Sequence, residues 1–171
     1  FSLPDTYRRV NEELETLRNE MEKSLNVSLT DEEIIESIRR TNELRRLIKK
    51  IQQLRKGPEP KLTGEEMHRI MVSVYSSPAQ EAIEALKEIY QMLEEREAQL
   101  NHRARLLVMG SQMDDPAYIG AMEGMGALVV GDAFCEGSIQ FADEVDEDEP
   151  PMKALAARYL RKLSCPRMFE A

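Results

Sequence analysis

The stretch LLVMGSQMDDPAYIGAMEGMGALVVGDAFCEGSIQF, Leu106 to Phe141, decides the fold. It opens on a short apolar run, Leu106 to Met109, that stops at Gly110 and Ser111, the pattern of a buried strand delivering the chain into a loop. Asp115 and Pro116 then open a helix, Asp as cap and Pro in the first turn, where no amide is lost. Tyr118, Ile119 and Met122 carry that helix to Gly124 and Gly126, and a second apolar run, Ala127 to Val130, ends at Gly131 and Asp132. Strand, helix, strand in this order predicts one βαβ unit with parallel strands. The loops after both strands then leave the same sheet edge, where open α/β sheets collect their ligand contacts. Sheets usually hold about 4 to 6 strands, so a Rossmann-like sheet with one such pair is incomplete, and its further strands are expected from elsewhere.

Everything upstream reads as helix. From Pro4 to about Leu25, Val10, Leu14, Leu17 and Met21 recur at helical spacing. Thr30 with Glu33 forms a capping box for a second helix whose stripe runs Ile34, Ile38, Leu44, Leu47, Ile48, Ile51 and Leu54, until Gly57, Pro58 and Pro60 stop it. These two helices are expected to pair as a hairpin. Thr63 with Glu66 repeats the box before a short helix containing Met67, Ile70, Met71, Val74 and Tyr75, and Pro78 starts a fourth that ends near Asn101. After the βαβ unit, the acidic run Asp143 to Glu149 reads as an exposed, mobile loop, followed by a last helix, Met152 to Leu163, closed by Ser164, Cys165 and Pro166. The class is therefore α/β, with a helical region at 1–104 and an α/β segment at 105–171.

The 171 residues suffice for one ordinary domain or for a helical piece with a small α/β piece. With 32 acidic against 23 basic side chains, the net charge of -9 argues against nucleic acid and against membrane surfaces as partners. No apolar run approaches the roughly 20 residues of a membrane span. Two cysteines, Cys135 and Cys165, are too few for a disulfide framework, so a soluble, cytoplasmic, reducing setting is expected. The start at Phe1 without Met suggests a piece of something longer.

The order Gly110-Ser111, Asp115-Pro116, Glu123-x-x-Gly126-Ala127, Cys135-x-Gly137-Ser138, then Ala156 with Arg158-Tyr159-Leu160 and Cys165-Pro166 resembles the D-component family of 2-hydroxyacyl-CoA dehydratases and benzoyl-CoA reductases. The match is specific over about the last 65 residues, and the helices before Arg105 fit in general character. The resemblance implies oxygen-sensitive radical chemistry on acyl-CoA thioesters, either dehydration or ring reduction. It also implies related subunits that each hold an iron-sulfur cluster, reduced by an ATP-dependent activator protein. The cluster cysteines of the family lie mostly in regions absent from this sequence, so no metal role falls on Cys135 or Cys165, and the isolated segment is expected to be inactive. Glu136, Ile139 and Gln140 depart from the Thr, Arg and aromatic residue usual in the turn, and the lost Arg removes a potential anion contact.

On this reading Ser111, Asp115, Cys135, Gly137 and Ser138 line an acyl-CoA crevice, with Gly110, Gly131 and Gly137 leaving backbone amides free for a thioester oxygen or a phosphate. Each has a plainer reading. Cys135 suits a buried packing position, Asp115 a helix cap, and Cys165 a structural one. His68 and His102 have no acidic or nucleophilic partner in triad-like context and read as surface or packing residues. The acidic run lacks the spacing and Gly of a calcium loop, and Arg39, Arg40, Arg45, Arg46, Lys49 and Lys50 read as a solvated helix face more readily than as a coenzyme A phosphate site. The competing class of function is a non-catalytic helical interaction module carrying a degenerate turn.

Overall fold

The computed structural model describes residues 3–98 and 101–161. Their order is α1 (Leu3–Leu25), α2 (Asp31–Gln53), α3 (Gly64–Tyr75), α4 (Ala79–Glu95), β1 (Ala104–Met109), α5 (Ala117–Gly124), β2 (Ala127–Ala133), a 3-10 turn (Ser138–Phe141) and α6 (Pro151–Arg161). The protein is thus mixed α/β, mostly helical, with a two-stranded parallel sheet among the described residues. By contact the chain forms two compact units, one of Phe1–Asn42 with Asp143–Ala171, the other of Glu43–Ala142. The division at 104/105, in contrast, marks where the hydrophobic period changes.

In the first unit, the expected α1–α2 hairpin gives way to a different pairing. The principal partner of α1 is α6, and the Tyr7 hydroxyl donates to the Lys153 carbonyl oxygen at 2.5 Å. Ile38, Val145 and Ala154 form a small core with Ile34 and Leu155 packed against it. Leu17, Met21 and Leu25 on the C-terminal half of α1 remain exposed. Asp143, Glu144, Asp146 and Asp148 of the acidic run are exposed as expected, while the run is anchored at its centre. Val145 is buried, and the buried Asn42 amide holds its backbone in both directions, Nδ2 donating to the Val145 oxygen at 2.8 Å and Oδ1 accepting from the Val145 amide at 3.0 Å. An amide side chain matched to both groups of one residue satisfies buried polarity that charge patterning does not reveal.

The second unit is built on Leu44, Leu47, Ile48 and Ile51 from α2, Met67, Met71 and Val74 from α3, and Ile83 and Leu86 from α4. Both capping boxes form. The Thr30 amide donates to Glu33 at 2.8 Å and the Glu33 amide to Thr30 Oγ1 at 3.3 Å, and Thr63 and Glu66 make the same reciprocal pair at 2.9 and 3.1 Å. Helix α4 stops at Glu95, short of the expected Asn101, where the Arg96 guanidinium turns back to Glu66 at 2.8 Å and to the Lys61 carbonyl at 3.3 Å. Pro78 is the N-cap of α4 rather than a first-turn residue. Helix α6 is described to Arg161, so its expected close at Ser164 to Pro166, Cys165 included, lies outside the described residues.

The strands pair in parallel, Ala104 with Ala127 through Leu106 with Val129, and then the register slips, Leu107 pairing with Gly131 and Val108 with Asp132. Val130 is thus an extra residue in β2, a bulge of a kind that is rare in parallel pairs. The slip explains a parity that regular alternation forbids. Val129 and Phe134 are five residues apart yet pack in one cluster, with Ile119 and, from β1, Leu106 and Val108. Helices α3 and α5 both pack against β2 and against each other. Gly64 makes the α3 approach possible, since a Cβ there would lie 2.4 Å from Val129 Cβ.

Candidate functional site

Parallel pairing brings the loops after β1 and β2 to one end of the sheet, and hydrogen bonds tie them together. The Gly110 amide donates to the Ala133 carbonyl at 3.3 Å, the Cys135 amide to the Ser111 carbonyl at 3.4 Å, and the Met113 amide to Glu136 Oε2 at 3.2 Å. Ser111 and Cys135 are therefore neighbours across the edge, and Glu136, the departure from the family turn, is the side chain that bridges it. Cys135 is half-buried and its thiol is free. Gly137 is buried, and a Cβ on it would stand 2.4 Å from Asp132 Oδ1, so the turn can pass only as glycine without displacing that carboxylate. Asp115 is exposed and its Oδ1 accepts from the Ala117 amide at 2.9 Å, just ahead of α5, whose N-cap is Pro116 rather than the expected Asp115; nothing in this geometry directs it to the turn.

Beneath the turn lies an ion pair that sequence reasoning missed. Asp132, with a side chain 4% exposed, pairs with Arg55, whose side chain is 1% exposed. Asp132 Oδ1 accepts from the Ser138 amide at 2.8 Å, and the Ser138 hydroxyl donates to the Asp132 carbonyl at 3.2 Å. Burial pushes the Asp132 carboxyl up, but the Arg55 charge and hydrogen bond, with the Ser138 amide, more than reverse it and hold the group below its ordinary range. The signal for Arg55 was faint, a cation closing the apolar stripe of α2 just before Gly57 and Pro58.

These bonds correct one expectation. The amides of Gly110, Cys135, Gly137 and Ser138 are each engaged within the protein, that of Gly137 with the Phe134 carbonyl at 3.1 Å. The glycines serve close packing here rather than an open cradle for an anion, and a Cβ added at Gly131 would stand 2.8 Å from Leu107 Cδ1. Asp114 and Asp115 are exposed at the same edge and Glu136 is half-buried there, while Arg55 is engaged by Asp132, so phosphate finds little to hold it. Around the turn stand the Cys135 thiol, the Ser138 hydroxyl, which donates to the Asp132 carbonyl, and the Tyr75 phenol.

Tyr75, on the last turn of α3, packs edge-to-face on Phe141 at 5.4 Å. Although Tyr75 is nearly half exposed, its partial burial first, and then the negative charges of Glu136 and Asp132, push its phenol up to about 12. His68 packs as its context suggested, buried, edge-on to Phe134 at 5.6 Å, with Nε2 2.6 Å from the Met113 carbonyl, an acceptor that fixes the proton on that nitrogen. Glu123 is explained as well. Its Oε1 accepts from Gly64 at 2.7 Å and Val129 at 2.9 Å, and its Oε2 from Glu65 at 3.1 Å, so one carboxylate joins the start of α3 to β2.

An iron-sulfur cluster needs several soft ligands around one point. The described residues do not fit one: Cys135 stands among hydroxyls and carboxylates, and no group of three or more metal-ligating side chains converges among them. The open grooves between α1 and α6, lined by Tyr7, Arg8, Asn11 and Lys153 on one side and by Asp143, Asp146 and Arg158 on the other, belong to the first unit and share no residue with this edge. No helix among the described residues is long and apolar enough to cross a membrane.

A parallel βαβ edge with a Gly-Ser first loop and a tied-down Cys-x-Gly-Ser turn makes this a mixed α/β protein with a small parallel sheet. The chain belongs to the 2-hydroxyglutaryl-CoA dehydratase, D-component, family, which it matches over residues 1–171, through the helical half as well as the α/β half. A benzoyl-CoA reductase subunit of Thauera aromatica is 25% identical over 170 residues, covering 95% of this chain and 44% of that protein. The chain thus spans less than half the length of that relative.

Proposed function

We propose that this chain is part of an iron-sulfur acyl-CoA enzyme of the benzoyl-CoA reductase or 2-hydroxyacyl-CoA dehydratase type, acting in the cytoplasm with a related subunit and an ATP-dependent activator that supplies single electrons. The cluster and its ligands belong to other parts of that enzyme. What this chain contributes is a wall of the acyl-CoA crevice at the C-terminal edge of the sheet, with Ser111, Cys135, Gly137 and Ser138 at its surface and Asp115 just ahead of the helix behind. The observation that carries this reading is the direct tie between the two motif turns, Cys135 to Ser111. The thiol and hydroxyl oxygens there position an acyl thioester, and the protonated Tyr75 phenol offers a donor to an oxygen that gains negative charge. The test is alkylation of Cys135 in the complete enzyme. Saturating acyl-CoA should slow it at least tenfold, and equal labelling with and without ligand would reject a binding role for the turn.

A second reading is favoured by two observations, the internally satisfied amides of the turn and the exposed Leu17, Met21 and Leu25 on α1. On it the chain is a helical interaction or scaffold module that no longer meets substrate. Iron and acid-labile sulfide measured after anaerobic purification of the complete gene product separate the two. Stoichiometric cluster with acyl-CoA turnover supports the enzyme, and neither supports the module.

A further inference from the structure

We infer that Arg55 is a positioning residue, which by spanning the β2 bulge from the Val129 carbonyl to the Asp132 carboxylate fixes the pose of the Cys135 to Ser138 turn. The functional consequence rests on the reading of that turn as a crevice wall, whereas the positioning itself rests on contacts within the second unit.

The extra residue, Val130, lies between the two groups that Arg55 binds. Its Nη1 donates to the Val129 oxygen at 3.5 Å, before the slip, and its Nη2 meets Asp132, after it. Without a bulge, Asp132 would stand opposite in parity to Val129 and turn its carboxylate to the other face of the sheet. With it, Asp132 shares a face with Val129, Val108 and Phe134. A planar guanidinium is suited to this task because its N–H fork reaches two acceptors at a fixed separation. The fit leaves one buried atom without a partner, Arg55 Nε. A buried ion pair contributes little net stability compared with apolar packing, and its best-attested use is to specify one arrangement among several. Here that arrangement continues outward. Asp132 Oδ1 holds the Ser138 amide, the Ser138 hydroxyl returns to the Asp132 carbonyl, and Gly137 is pressed against the same carboxylate. One residue further back is Glu136, tied to the loop after β1. Loss of the fork therefore frees the bulge to migrate and the turn to sample other poses.

The experiment follows Cys135 alkylation by iodoacetamide, without ligand, in the complete enzyme carrying Arg55→Met, Arg55→Lys, or Ile83→Ala as a control for lost stability in the helical core. The loss of hydrogen-bonded restraint is expected to change the Arg55→Met rate by roughly tenfold, with Arg55→Lys recovering most of it by keeping the charge, and Ile83→Ala staying within about twofold of the wild type. A folded Arg55→Met variant, judged by its far-UV spectrum, with a wild-type rate overturns the inference, as does an equal change in Ile83→Ala. If Arg55→Met does not fold, Ser138→Ala, which removes only the outermost tie, should raise the rate, and an unchanged rate there overturns it. These rates are read without substrate, so failure of acyl-CoA protection in the wild type counts against the proposed function alone.

Discussion

Replacing Glu123 with Ala would strip three backbone donors of one acceptor group. Val129 is fully buried, so its amide has no water to turn to, and an orphaned buried donor costs about 1–3 kcal/mol. The Gly64 and Glu65 amides lie in the first turn of α3, where loss of a capping acceptor costs about 0.5–2 kcal/mol. The expected destabilisation is about 2–4 kcal/mol. Glu123→Gln keeps one oxygen for Gly64 and Val129 and gives up the Glu65 bond together with the charge at the helix N-terminus, a charge effect of about 0.3–1 kcal/mol, so it should lose less than half as much. Urea unfolding followed by far-UV circular dichroism reads the difference. At an m-value of about 2 kcal/mol/M, the Ala variant should unfold about 1–2 M earlier with its slope unchanged. A midpoint within about 0.3 M of the wild type would refute the assignment of Glu123 as the joint between α3 and β2, and an altered slope would place the effect in the unfolded chain.

Asp132 is held below its ordinary range in the folded protein, so its contribution is complete above the unfolded carboxylate value and fades as pH falls through the lowered one. Asp132→Asn should flatten stability against pH in the acid range measured by thermal melts, and an unchanged acid limb would contradict the pairing. Tyr75 behaves in the opposite sense. With its phenol raised to about 12, it stabilises fully below the unfolded value of about 10 and that contribution is lost as pH climbs from there, so Tyr75→Phe should remove the latest phenolate transition from a spectrophotometric titration. Asn42→Ala orphans both backbone groups of Val145 and should cost about 2–4 kcal/mol, seen as faster amide hydrogen exchange across the acidic run, whereas unchanged exchange there would show that Val145 is held by other means.

Local chemistry in the sequence was a sound guide where one residue type answers one geometric need. The Thr-x-x-Glu boxes at Thr30 and Thr63 and the parallel order of the two strands act over short spans. The failures share a longer reach. Asn42 meets Val145 from 103 positions away, and Arg55 meets Asp132 from 77, so nothing in either neighbourhood announces the pairing. The slip at Val130 is invisible because a run such as Ala-Leu-Val-Val is apolar on both faces and carries no alternation to be broken. That the loops after β1 and β2 meet was legible, since parallel strands force them together. The state of their amides was not, because it depends on how tightly glycines let the turn fold onto Asp132.

The odd residue in β2 also limits how this chain can change in length. Deleting Val130 would restore a regular ladder and still leave Asp132 opposite Val108 and on the face it shares with Val129 and Phe134, so this is the one residue that β2 can lose without turning a charge to the other side of the sheet. One further insertion would instead turn Asp132 and Phe134 to the other face, while a pair of insertions would preserve sidedness but shift the turn along the strand axis by about 6–7 Å. The strand can therefore shorten by its odd residue but not lengthen by one, even where most of its side chains are exchanged.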